Sequence, residues 1–127
     1  MNKTILITAA ILGITGIVLG AFGAHGLKAL ITVEAQQTFE TGVRYQMYHA
    51  LFLLFVGSIN SISIKAKHLI YYLTLVGIVF FSGSIYGLAT NALTTFDFKI
   101  IGIITPIGGL LLIGAWVRLF IEFLKMK

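Results

Sequence analysis

The sequence predicts an all-α integral membrane protein in which four transmembrane helices form one bundle, a single domain over residues 1–127. The chain is 58% hydrophobic and only 10% charged, with a mean hydropathy of +1.02, whereas soluble domains carry about 25% charged residues. Four apolar runs of about 20 residues each have the length that crosses a bilayer as a helix. These runs, which contain no acidic residue and no lysine, are residues 4–24, 45–64, 69–90 and 100–121.

The first run is predicted to be a retained membrane helix rather than a cleaved signal peptide. Lys3 precedes it and its end resembles a cleavage site, but the apolar stretch is longer than the ~7–15 residues of a signal peptide. Small residues recur along it every three to four positions and predict a face for close helix packing. The positions are Gly13, Gly16 and Gly20. This face is expected to pack inside the bundle, with a homodimer interface as the alternative.

Helix two is predicted to begin well before its apolar run. Gly26 is expected to end helix one in the left-handed conformation, with Leu27 supplying the accompanying apolar contact. Thr32 can then cap a new helix whose first turn holds Glu34, where the helix dipole favours negative charge. Residues 33–44 contain no proline. They are therefore predicted to form a helical, interfacial extension of helix two on the outer side of the membrane.

The second half of the chain has fewer breaks. Residues 60–67 are predicted to form a cytoplasmic loop, and residues 91–99 a second outer loop. In the third run, Gly83 and Gly87 have the spacing of a close helix contact. Pro106 is predicted to kink helix four near its outer end, because proline removes one backbone hydrogen bond from a helix interior.

The distribution of basic residues predicts the orientation in the membrane. With four spans, both termini and the middle loop share one side, which holds six of the nine lysines and arginines. The positive-inside rule then predicts a multi-pass membrane protein with both termini in the cytoplasm. The six are Lys3, Lys65, Lys67, Arg118, Lys125 and Lys127, and the remaining three are Lys28, Arg44 and Lys99.

Polar side chains gather in the outer half of the predicted bundle. They should form a hydrogen-bonded network or a small pocket, because polar groups in hydrocarbon are costly unless paired. The hypothesis is a pocket for a lipid headgroup or a small anionic solute, lined by His25, Arg44, Tyr45, His49 and Tyr86. Structural explanations are also available, since tyrosines form interfacial belts, arginine extends to headgroups and histidines cap or link helices. An open cavity would favour binding, and a dry, packed outer half a structural role.

Several function classes find no support in the sequence. The chain has no cysteine, which excludes disulfides and thiol chemistry. Its basic residues form no stripe that would indicate nucleic-acid binding. Two histidines and distant acids make no metal motif, and no nucleotide-binding or hydrolase motif is present, so no enzyme activity, cofactor or metal is expected.

The function predicted from these observations is a non-enzymatic structural or assembly module. The lipid bilayer is its expected partner, with a homo-oligomer or another membrane protein as further partners. The alternative is a binding or transport protein that uses the outer-side pocket.

Short motifs spread along almost the whole chain resemble one family. They are Gly20-Ala-Phe-Gly-Ala-His25-Gly-Leu27, then Phe39-x-Thr41-Gly-x-x-Tyr45-Gln-x-x-His49-Ala-Leu51, then Phe81-Ser-Gly-Ser-Ile-Tyr86, and Ile104-Thr-Pro-Ile-Gly-Gly109 followed by Trp116. In this order they resemble the YgdD/YwdK-like family of small bacterial membrane proteins of unknown function. The resemblance implies a four-helix integral membrane protein of the plasma membrane, and it implies no activity and no catalytic residue.

Overall fold

The computed structural model describes residues 1–93 and 102–126, and every regular element among them is helical, which confirms the all-α prediction. The elements are α1 (Asn2–Ala24), α2 (Val33–Ser58), α3 (Ile64–Ile78), a π-helical segment (Val79–Gly83), α4 (Ser84–Ala89), a 3-10 turn (Asn91–Leu93) and α5 (Ile104–Lys125). Predictions for Lys99, Lys127, the start of the fourth run and most of the loop 91–99 lie outside the described residues.

The start of α2 follows from its predicted cap. Thr32 accepts the backbone N–H of Ala35 on its Oγ1 at 3.1 Å, which satisfies one of the free amides of the first helical turn. From there α2 runs unbroken to Ser58, so residues 33–44 are helical as predicted.

The turn between α1 and α2 differs from the prediction at Gly26. The expected left-handed conformation is wrong, since no described glycine has a positive φ. The Leu27 N–H instead bonds to the Phe22 carbonyl at 3.0 Å, a wider turn that needs no such conformation. Leu27 is buried against Phe39 of α2 and Ala89 of α4, so its apolar contact is with other helices.

The loop between α2 and α3 is shorter than predicted. α2 ends at Ser58 rather than near residue 64, and α3 already begins at Ile64. Ser63 caps α3, because its Oγ accepts a backbone N–H of the first turn at 3.1 Å. Serine and asparagine side chains compete for backbone hydrogen bonds and favour such breaks. The predicted loop 60–67 therefore shrinks, and its two lysines lie in the first turn of α3.

α3, the π segment and α4 form one continuous rod, Ile64–Ala89. The sequence does not indicate the π segment, because apolar residues run through it. A π turn inserts an extra residue into a helix. Around it, two nearby serines bond to different neighbours: the Ser82 hydroxyl donates to the Gly42 carbonyl of α2 at 2.7 Å, and Ser84 bonds to Thr105 of α5.

Pro106 has a different role from the one predicted. α5 begins at Ile104, so Pro106 lies in its first turn. Backbone N–H groups there have no partner within the helix, and proline removes no bond. The predicted kink is therefore wrong, since Pro106 helps to start the helix and does not interrupt it.

The helices pack as two antiparallel pairs. α1 lies along α2, with Gly23 against Phe39 at one end and Leu6 against Gly57 at the other. α3 lies along α5 in the same way, and α2 joins the two pairs because it also contacts α3, the π segment and α4. The main core is built from Ile5, Ala9, Phe52, Leu53, Val56, Ile62, Ile70, Tyr71, Ala115 and Leu119.

Among the described residues, three helical segments are long and apolar enough to cross a membrane. They are Asn2–Ala24, Ile64–Ala89 and Ile104–Lys125. Large apolar side chains are exposed along all three, which a bilayer would cover. α2 is as long, but its first half is polar.

Candidate functional site

An open groove of about 310 Å³ lies between α2, the π segment and α5. Aromatic rings form much of its wall, and its surface is mostly apolar. The residues that line it are Tyr45, His49, Phe81, Gly109, Leu112, Ile113 and Trp116.

Glycine shapes this groove on the α5 side. A Cβ at Gly108 would meet the Phe81 backbone nitrogen, and it would lie 2.8 Å from the Gly77 carbonyl oxygen. α5 therefore contacts the rod Ile64–Ala89 backbone to backbone at this point. The next residue, Gly109, leaves space in the groove, because a Cβ there would come no closer than 3.7 Å to the Phe81 ring.

His49 is the buried polar residue of the groove, with 4% of its surface exposed. Trp116 Nε1 donates to His49 Nε2 at 3.1 Å, and His49 Nδ1 lies 2.7 Å from the Tyr45 carbonyl oxygen. Because an indole N–H can only donate, Nε2 must accept, and the ring proton then sits on Nδ1 and bonds to the carbonyl. This pair of bonds requires a neutral imidazole. It fixes the ring and connects α2 to α5.

A second polar cluster lies on another face of α2, where Gln46 connects three helices. Its Nε2 donates to the Leu12 carbonyl at 3.0 Å and to Thr15 Oγ1 at 2.8 Å, both in α1. Its Oε1 accepts from the Tyr86 hydroxyl of α4 at 2.6 Å. Gly16 lies beside this amide, since a Cβ there would be in ordinary contact with Gln46 Nε2 at 3.5 Å.

The five residues of the predicted pocket do not gather in one place. Tyr45 and His49 line the groove, while Tyr86 bonds to Gln46 away from it. Arg44 has an exposed side chain and directly precedes Tyr45 in the sequence.

His25 is exposed at the end of α1. It follows Gly23, which packs against Phe39, and Phe39 is separated from His49 by about 15 Å of helix. The two histidines therefore belong to different parts of the molecule. The sequence did not assign the other lining residues to a site, although a glycine pair and a lone tryptophan inside an apolar run are a usable signal. They are Phe81, Gly109, Leu112, Ile113 and Trp116.

The predicted packing glycines also separate into groups. Gly16 and Gly20 face α2, where a Cβ at Gly16 would lie 2.5 Å from Met47 Sδ and one at Gly20 would lie 3.4 Å from Val43. A Cβ at Gly13 or Gly83 would have no described atom within 4 Å. Gly87 is half-buried in α4. The described residues contain no group of three or more histidines and acids that could hold a metal ion.

Comparison with known proteins identifies the family. The model of a family described as a protein of unknown function, DUF423, matches residues 19–109. The chain belongs to this family. It is 39% identical to a UPF0382 membrane protein of Staphylococcus haemolyticus over 97% of both chains. It is 38% identical to the UPF0382 membrane protein YwdK of Bacillus subtilis, over 97% of this chain and 98% of that one.

A UPF0382 membrane protein of Haemophilus influenzae is 36% identical, over 100% of this chain and 98% of that one. The predicted resemblance is confirmed, and the relatives are named membrane proteins of a family without an assigned function. No solved structure matches the chain.

Proposed function

We propose that this protein is a four-span, non-enzymatic protein of the plasma membrane that binds the apolar part of a membrane lipid in the groove. The observation that carries the proposal is the groove itself, which is open, apolar and walled by aromatic rings. Its volume of about 310 Å³ is at the small end of the range for ligand sites. One hydrocarbon chain suits such a space better than a whole lipid.

The packing of α2 against α1 supports four spans. α1 has the length and composition of a membrane helix. α2 lies beside it from Phe39, opposite Gly23, to Gly57, opposite Leu6, a length of about 27 Å. A helix that packs along a transmembrane helix over this length must cross the membrane beside it. The six residues before Phe39 then extend beyond the membrane as the outer interfacial segment.

The charge distribution supports cytoplasmic termini. One end of the folded bundle carries the start of α1, the start of α3 and the end of α5. The described basic residues at this end outnumber those at the other, which is the signature of a cytoplasmic face. They are Lys3, Lys65, Lys67, Arg118 and Lys125.

The position of the groove supports a ligand that comes from the bilayer. Ile113 is 59% exposed and Trp116 is 49% exposed, so the groove opens on the side of the bundle. They lie about 13 and 18 Å along α5 from its start, well within a span. The opening therefore faces hydrocarbon, where a lipid chain is the abundant apolar ligand.

Filling the groove is expected to remove the bound lipid. Ile113→Trp places a large ring in the groove and takes the space that an acyl chain would occupy. We expect roughly tenfold less lipid bound to the purified protein, measured by native mass spectrometry with added phosphatidylglycerol. Leu110→Trp is the matched control, because Leu110 is 67% exposed on the same helix and does not line the groove. Equal lipid binding by both variants would disprove the proposal.

Assembly through α1 is the second candidate function. Gly13 lies on α1 with no described atom near its Cβ position, so a close contact there would need another molecule. Gly16 contacts α2 instead, although it is only three residues away.

The two glycines allow a direct comparison. Gly16→Leu should displace Met47 and the Gln46 amide, lowering the free energy of unfolding by about 2 kcal/mol. Gly13→Leu should leave unfolding unchanged. Both are measured by denaturant unfolding in mixed micelles, together with size-exclusion chromatography. If Gly13→Leu changes the oligomeric state, the assembly function gains support. If both variants unfold like the wild type, the assignment of Gly16 to the α1–α2 contact is wrong.

A further inference from the structure

Arg44 comes directly before Tyr45 of the groove on α2, and no described acid pairs with it. Its side chain is exposed, and it forms no ion pair with any described residue. Glu40 lies one turn before it on α2, where a pair would be expected, yet no contact within 4 Å joins them. Among residues 1–93 and 102–126 no acid occupies the guanidinium, so it is available to an external anion.

The surface between Arg44 and the groove is continuous. Arg44 and Tyr48 are four residues apart and share a face of α2. The Tyr48 ring lies 5.5 Å from the Tyr45 ring, and the Tyr45 ring lies 5.1 Å from that of Phe81 inside the groove. Neither tyrosine hydroxyl bonds to a described residue, so both can donate to a ligand.

The depth of Arg44 indicates where its anion comes from. Tyr45 packs against Phe81, which lies beside Gly109 of α5. This level is about 8 Å below the start of α5, near the outer edge of the hydrocarbon in the proposed topology. An arginine at this depth is costly unless it is paired or extends to headgroups. No described acid pairs with Arg44, and the phosphates of lipid headgroups are the abundant anions at this level of a membrane.

We infer that the ligand of the groove is an anionic phospholipid of the outer leaflet. Arg44 binds its phosphate, the hydroxyls of Tyr45 and Tyr48 flank the headgroup, and one acyl chain runs down the groove to Trp116. Guanidinium binds phosphate through two parallel hydrogen bonds, which gives geometric selectivity as well as charge. The path from Gly109 to Trp116 covers about 10 Å of α5. This inference rests on the proposed function and adds the class of the lipid.

The test compares two lipids with identical acyl chains. Purified protein receives equal amounts of phosphatidylglycerol and phosphatidylcholine, and native mass spectrometry gives the ratio of the two bound forms. Both lipids carry a phosphate that Arg44 can bind, but the choline cation of phosphatidylcholine offsets its negative charge. We therefore expect the wild type to prefer phosphatidylglycerol by roughly tenfold. Arg44→Gln should bring the ratio close to one, and Arg44→Lys should keep part of the preference. Lys28→Gln is the control, because it removes an exposed cation of the α1–α2 turn that does not line the groove.

Each outcome supports or overturns the inference. A preference that survives Arg44→Gln, or that Lys28→Gln also removes, overturns it and leaves the groove intact as a chain-binding site. Displacement of phosphatidylglycerol by excess inorganic phosphate would show that Arg44 binds a free anion rather than a lipid. Loss of both lipids in Ile113→Trp with loss of selectivity alone in Arg44→Gln supports both proposals. Failure of Ile113→Trp to reduce binding removes the proposed function.

Discussion

Gly108→Leu is expected to leave little folded protein. At this position α5 contacts the backbone of the rod Ile64–Ala89 with no side chain between them. A Cβ would touch the backbone nitrogen of Phe81 and lie 2.8 Å from both the Phe80 carbonyl carbon and the Gly77 carbonyl oxygen. Backbone atoms cannot move aside as a flexible side chain can, so α5 would have to separate from the rod. The expected loss in the free energy of unfolding is more than about 3 kcal/mol.

The neighbouring glycine is the matched control for this substitution. Gly109→Ala adds a Cβ whose nearest neighbour is the Phe81 ring at 3.7 Å, an ordinary contact. Fluorescence-detected size exclusion after a heating series should show Gly109→Ala close to the wild type and Gly108→Leu aggregated at all temperatures. A monodisperse Gly108→Leu with unchanged thermal stability would mean that the α3–α5 contact is assigned to the wrong face.

Gln46→Leu is expected to cause the second largest loss of stability. It removes three hydrogen bonds that join α2 to α1 and α4, and it leaves the Tyr86 hydroxyl without its acceptor. Hydrogen bonds in membrane proteins contribute about 0.6 kcal/mol each on average. Together with the stranded hydroxyl, the loss should be about 2 kcal/mol. Leucine has nearly the volume of glutamine, so packing should change little.

Unfolding in mixed micelles measures this loss, and Gln37→Leu controls for it. Gln37 lies on the same helix with an exposed side chain, so its replacement should change stability by less than about 0.5 kcal/mol. Tyr86→Phe should produce roughly a third of the Gln46→Leu effect, because it removes one of the three bonds. Equal unfolding of Gln46→Leu and Gln37→Leu would show that the three-helix cluster does not stabilise the fold.

The elements that depend on local sequence could be predicted. The apolar runs indicate the membrane helices, and the Thr32 cap acts within its own first turn. The predicted loop start at residue 60 is close to the observed end of α2 at Ser58, because the polar residues that follow act locally, whereas the apolar run to residue 64 extends too far. The π segment could not be predicted. It fits the rod Ile64–Ala89 to α2 and α5 at once, and the apolar pattern of the sequence does not change there.

The site could be predicted only on the side of α2. Tyr45 and His49 are one turn apart, so a helix brings them to one face. The partner of His49 is Trp116, 67 residues away, and this contact depends on the rotation of α5. Likewise, Gly13 and Gly16 fit the same spacing rule, but their directions differ by about 60° on a helix. One faces α2 and the other contacts no described residue.

The position of Trp116 in the groove also allows ligand binding to be followed by tryptophan fluorescence. Trp116 is the only tryptophan of the chain, and its ring lies 4.3 Å from that of Phe52. Indole fluorescence changes with the polarity of its surroundings and is quenched by heavy atoms in contact. A brominated acyl chain that enters the groove would therefore dim the emission of the unmodified protein. The fluorescence of Trp116 therefore reports whether an acyl chain occupies the groove, and it can be measured in intact vesicles without an added label.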